Sequence, residues 1–124
     1  MDTTGLDVLR RLNGRWTTIE AKCAADQTGA ELAGHIAALI TLLKTAASEG
    51  LAAAQTEAAA LGQTLRARQH PLSAALEAMF QIRKVARPFL VREYPGVEGF
   101  LEGQLQFEAV CNTLLKSISD GYCR

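Results

Sequence analysis

From Leu32 to Leu65, apolar or small side chains recur at Leu32, Ile36, Leu39, Leu43, Ala47, Leu51, Ala54, Ala58, Leu61 and Leu65, in steps of three and four only. That spacing keeps one side of an α-helix continuously apolar and fits no strand, whose faces alternate with a period of two. Nine steps cover 33 residues, a mean of about 3.67, close to the eleven-residue repeat of a nearly straight helix. The spacing therefore predicts one long helix over about 29 to 69, or two helices meeting at Gly50. Glycine costs a helix only about 1 kcal/mol, so its presence alone does not decide between them.

Both ends of the stretch carry boundary signals. Thr28 stands three residues before Glu31, the arrangement of a capping box, in which hydroxyl and carboxylate each take a backbone donor. Pro71 biases His70 away from helical dihedrals, so the helix should stop near Gln69 and another begin with Pro71 in its first turn. The second half is rich in alanine from Ala46 to Ala60, and six of the seven aromatic residues fall between Phe80 and Tyr122. The bulk missing from the alanine face is thus expected from later helices. The face Ala47, Leu51, Ala54, Ala58 and Leu61 becomes a candidate for close packing or for a dimer interface.

Elsewhere the chain reads the same way. A first helix of about 4 to 26 carries its seam through Leu9, Leu12, Trp16, Ile19 and Cys23, and Ala24 to Gly29 turn the chain. A third, of about 71 to 93, should bury Leu72, Leu76, Met79, Phe80, Ile82, Ala86 and Phe89, with a kink or an end at Pro88. Tyr94-Pro95-Gly96 marks a turn. A fourth, of about 97 to 120, runs through Phe107, Cys111, Leu114 and Ile118 to a glycine cap at Gly121, leaving Tyr122 to Arg124 as a frayed tail. Gly99 and Gly103 are spaced as a GxxxG pair, a weak signal outside membranes. The expected architecture is an all-α antiparallel bundle of about four helices, one domain of 124 residues, built around the alanine-rich second helix.

Charge narrows the partners. Thirteen basic and thirteen acidic side chains balance, so no global field draws the chain to nucleic acid or membrane. Distribution is uneven, however: residues 66 to 92 hold six basic groups and one acidic, between acidic flanks. Arg66, Arg68, Arg83, Lys84, Arg87 and Arg92 form the candidate patch for an anionic partner, in two clusters if the helices run antiparallel. Pairing with Glu98, Glu102 and Glu108 is the competing use of those cations. No apolar run is long enough to span a bilayer, and residues 1 to 5 do not open a secretory signal. The expectation is a soluble, cytoplasmic, bacterial-type protein with no membrane partner.

Chemistry is hard to assemble. Cys23, Cys111 and Cys123 are odd in number and lack CxxC spacing, which indicates neither a disulfide framework nor a zinc site. Glu31 and His35 make at most half a ligand pair, and the inward Glu with Glu-x-x-His of carboxylate-bridged metal bundles is absent. Lys44, Thr45, Ala46, Ala47 and Gly50 faintly resemble the phosphoacceptor helix of histidine phosphotransfer bundles. Thr41 stands where the acceptor histidine belongs, so that function does not carry over. No catalytic residue, cofactor or metal is assigned. The reading is a non-enzymatic adaptor, chaperone or regulator that holds another protein on a helical face and forms a homodimer. The alternative is a nucleic-acid-associated regulator using residues 66 to 92, and a cofactor-binding bundle or small enzyme stands behind both.

Overall fold

The computed structural model describes residues 4–25 and 31–124, which is where every structural statement below applies. Those residues form six helices and no strand: α1 (Thr4–Arg11), α2 (Trp16–Cys23), α3 (Ala33–Glu49), α4 (Leu51–Ala67), α5 (Leu72–Glu93) and α6 (Val97–Tyr122). The expected Thr28 cap lies outside the described residues. No described helix is long and apolar enough to cross a membrane.

The long central stretch is two helices of 17 residues each, α3 and α4, not one. Gly50 joins them with φ 100° and ψ 162°, a backbone region essentially reserved for glycine. Across the corner the Thr45 hydroxyl lies 3.1 Å from a Glu57 carboxylate oxygen, whereas twelve residues of unbroken helix would separate the two by about 18 Å. The apolar spacing persists through Gly50 because one glycine redirects the axis without shifting the count along the chain.

The first helix is interrupted in the same manner. Asn13 and Gly14 form a turn between α1 and α2, with Gly14 at φ 86° and Arg15 N–H donating to Leu12 O at 2.9 Å. All five seam residues, Leu9, Leu12, Trp16, Ile19 and Cys23, are nevertheless buried. At the other end of α4, Gln69 takes the left-handed conformation, φ 60°. Its N–H donates to Arg66 O at 3.0 Å and that of His70 to Leu65 O at 2.9 Å, the paired bonds of a Schellman ending with a non-glycine residue at its left-handed position.

Packing follows side-chain size. Helix α4 lies so close to α6 that a Cβ on Gly62 would strike the Ile118 carbonyl oxygen and come within 2.7 Å of Tyr122 N, while one on Gly121 would strike the Ala59 carbonyl. Ala54 and Ala58 are fully buried, and Ala47, Leu51 and Leu61 are half-buried against the core. Two expectations fall here. Gly121 is not a C-terminal cap but the point where α6 touches α4. Nor is Tyr122 frayed: it is helical, its hydroxyl donates to His70 O and its carbonyl accepts from Arg66 Nη1, both at 2.9 Å.

Helices α3, α4, α6 and α5 follow one another around a ring of contacts, and α1 and α2 pack on α3. Helix α5 runs through Pro88 to Glu93, so the proline does not end it. Its buried apolar side is Ala75, Ala78, Met79, Ile82, Ala86, Phe89 and Leu90, with Gln81 also buried, a helical stripe that has small side chains at its start. Leu76 and Phe80, expected inside, face solvent instead.

Candidate partner-binding face

Every exposed large hydrophobic side chain among the described residues belongs to α5 or α6: Leu76, Phe80 and Val91 on the first, Val97, Leu101 and Leu105 on the second, each between 47% and 76% exposed. Their spacing makes them surfaces, not scattered points. Val97, Leu101 and Leu105 are four apart and lie one above another on α6. On α5, Leu76, Phe80, Arg83 and Arg87 follow at four, three and four, again one face.

A groove of about 330 Å³ lies between the two helices, and Phe80 is the one exposed large hydrophobic among the described residues that lines it. Phe80, Arg83, Lys84 and Arg87 line it from α5, and Gln104 and Glu108 from α6, above a floor of Leu90 and Phe107. Leu101 lies three residues before Gln104 and Leu105 three before Glu108, hence beside the groove on the helix surface. Arg87 stands over the Phe100 ring at 5.8 Å, and Arg83 Nη1 donates to Asn112 Oδ1 at 3.4 Å. Neither arginine nor Lys84 has an ion-pair partner among the described residues, and Glu108 is the one carboxylate in the lining. The expected pairing with Glu98 and Glu102 is not seen. Gln104 Oε1, buried in the wall, lacks a donor among the described residues.

The six cations singled out by sequence are therefore divided. Arg83, Lys84 and Arg87 share the groove. Arg66 is drawn to the end of α6 by its bond to Tyr122, Arg68 lies exposed in the turn after α4, and Arg92 stands over the Phe89 ring at 5.6 Å. The alanine face is equally divided: Ala54 and Ala58 are covered within the chain, leaving little of them for a second copy. Sequence reasoning missed the apolar half of the groove because it assigned Leu76 and Phe80 to the core. The four-residue spacing of Val97, Leu101 and Leu105 on a helix otherwise seamed through Phe107, Cys111 and Leu114 was the available signal.

The turn beside this face is held by a polar cluster. Tyr94 donates to Asp7 Oδ2 at 3.1 Å, Arg11 Nε reaches the same oxygen at 3.2 Å, and Arg11 Nη1 donates to Glu93 O at 3.1 Å. The guanidinium also lies 4.5 Å from the centre of the Tyr94 ring. Gly103 makes room for that ring, which a Cβ there would meet at 2.7 Å. Burial, then the Asp7 carboxylate that the phenol serves as donor, push the Tyr94 hydroxyl up to about 12. These contacts fix α1 against the junction of α5 and α6.

Among the described residues the potentially reactive side chains are scattered. Burial pushes the Cys111 thiol up to about 12, which keeps it protonated and poorly nucleophilic. His35 and His70 meet edge to face with ring centres 5.3 Å apart. No group of three or more metal-ligating residues occurs among the described residues. No family model, curated protein or solved structure matches the chain.

Proposed function

We propose that this chain is a non-enzymatic protein-interaction module, an adaptor or regulator, that docks an acidic amphipathic helix of another protein along the α5–α6 groove. The observation that supports it is the confinement of all six exposed large hydrophobics to two adjoining helices whose groove holds Arg83, Lys84 and Arg87. Grouped apolar side chains left in water are unfavourable unless a partner covers them. The unpaired cations beside them select a partner with carboxylates flanking its apolar stripe, the helix-in-groove mode of recognition. The scaffold that presents this face is read as an antiparallel bundle, in which α3, α4, α6 and α5 form the ring and α1 and α2 brace it.

Selection from a library of helical peptides of varied charge tests the reading. Selected sequences should alternate apolar residues at three and four with flanking Asp or Glu. Phe80→Asp should weaken them by more than tenfold, as a central aromatic contact worth about 2 kcal/mol requires. The double change Arg83→Glu and Arg87→Glu should weaken them further and flatten the salt dependence. Selected peptides indifferent to all three changes would refute the assignment. Two other outcomes would replace it: a dimer in light scattering that Phe80→Asp dissociates makes the occupant a second copy of the chain. Salt-steep duplex binding lost with Arg83→Ala and Arg87→Ala makes the face a nucleic-acid surface.

A further inference from the structure

The α1–α2 turn and the last turns of α3 border an open cleft of about 420 Å³, within the range of small-molecule sites. Arg10, Asn13, Thr17, Lys44 and Ser48 supply its polar lining, and no carboxylate is among the lining residues. We propose that this cleft binds a small dianionic oxyanion, a phosphate monoester or a dicarboxylate, between Arg10 and Lys44.

Three observations converge there. Arg10 comes from α1 and Lys44 from α3, and neither has an ion-pair partner among the described residues. An anion held in a cleft that both line would draw on both charges. The first turn of α2 borders the same space: Arg15 caps it with no side-chain bond and no acidic residue sits in that turn. Its leading N–H groups and positive dipole end are thus uncompensated within the helix. Trp16 forms part of the wall and is only 2% exposed, so its ring senses what enters the cleft while its indole N–H stays buried. The Asn13 amide and Thr17 hydroxyl supply further donors of the kind that orient oxyanions.

Trp16 is the sole tryptophan and reports on the cleft directly. Its fluorescence is followed while inorganic phosphate, glycerol 3-phosphate or succinate is added, with sodium chloride at matched ionic strength as the reference. A saturable change with the dianions and none with chloride is expected. Arg10→Ala and Lys44→Ala should each weaken binding at least tenfold, whereas Lys116→Ala, a lysine paired with Asp120 at 3.0 Å, should leave it unchanged. Thermal melts of the variants check that the fold persists, and Lys44→Gln repeats the test with the stem retained. Tighter binding of glycerol 3-phosphate assigns a phosphate monoester, and tighter binding of succinate a dicarboxylate. A non-saturating response, an equal response to chloride, or affinity unchanged in both variants would overturn the proposal.

Discussion

Gly62→Ala should destabilise the chain, against the ordinary expectation for a helix interior. In an open helix that change gains about 1 kcal/mol from propensity. At Gly62 the added methyl would meet the Ile118 carbonyl oxygen and Tyr122 N of α6. Those atoms are backbone, so no rotamer change relieves the clash and the two helices must separate. Overpacking costs about 1 to 3 kcal/mol when side chains can yield, and a backbone collision belongs at the upper end of that range. The expected net loss is about 2 kcal/mol, or a fall in Tm of roughly 6 to 10 °C for a chain of this size. Gly34→Ala supplies the opposite sign, because Gly34 lies in α3 and nothing stands within 4 Å of its would-be Cβ. It should be neutral or stabilise by up to about 1 kcal/mol. Urea unfolding followed by circular dichroism at unchanged m-value reads both. If Gly62→Ala raises the midpoint as Gly34→Ala does, the close crossing of α4 and α6 is refuted.

Gln69→Gly should stabilise by about 0.5 to 1 kcal/mol in the same assay, since glycine holds the left-handed dihedrals of the α4 ending without the penalty of a Cβ. Phenol absorbance titrated against pH should show Tyr94 ionising near 12, a step lost in Tyr94→Phe. Because the folded value lies above the unfolded value of 10, this group's contribution is complete below pH 10 and is lost between about 10 and 12. Ellman's reagent should modify one thiol rapidly, the exposed Cys123, and all three only after denaturation, because Cys23 and Cys111 are buried. Gly50→Ala should cost about 1 to 3 kcal/mol, because an alanine there must hold dihedrals that only glycine adopts without strain; an unchanged urea midpoint would count against the corner.

Helical class and the apolar seams were legible because burial imposes a period, and the period survives local breaks. Leu9, Trp16, Ile19 and Cys23 on two helices, and Leu12 in the turn between them, are buried just as they would have been on one helix. What periodicity does not encode is direction. Gly14 and Gly50 each turn the chain by adopting a positive φ, yet a glycine looks the same in sequence whether it bends the backbone or sits in a straight helix. Gly62 and Gly121 show a third use, invisible locally, because each is needed only where the other helix arrives. The groove was half legible for a related reason. Arg83, Lys84 and Arg87 stand out as a charge cluster, whereas Phe80 is recognised as a surface residue only once Ala75, Ala78 and Met79 are known to fill the interior.

That substitution of small for large connects the core to the proposed face. Alanine-rich α4 invites the expectation that the aromatic side chains of α5 and α6 fill the space opposite it. Instead, Gly62, Gly121, Ala58 and Ala59 let α4 and α6 meet backbone to backbone, and little volume remains to fill. Phe107 and Phe89 are accommodated inside, while Phe80 is displaced outward with Leu76, Val91, Val97, Leu101 and Leu105. Close packing on one flank of α6 thus leaves bulky apolar side chains on its other flank without an interior partner. A change that opens the α4–α6 crossing and a change that occupies the α5–α6 groove therefore act on opposite sides of the same helix. If α6 transmits one to the other, a peptide held in the groove should alter the unfolding midpoint of Gly62→Ala by a different amount from that of the unchanged chain. Equal shifts would mean that the two flanks are energetically independent.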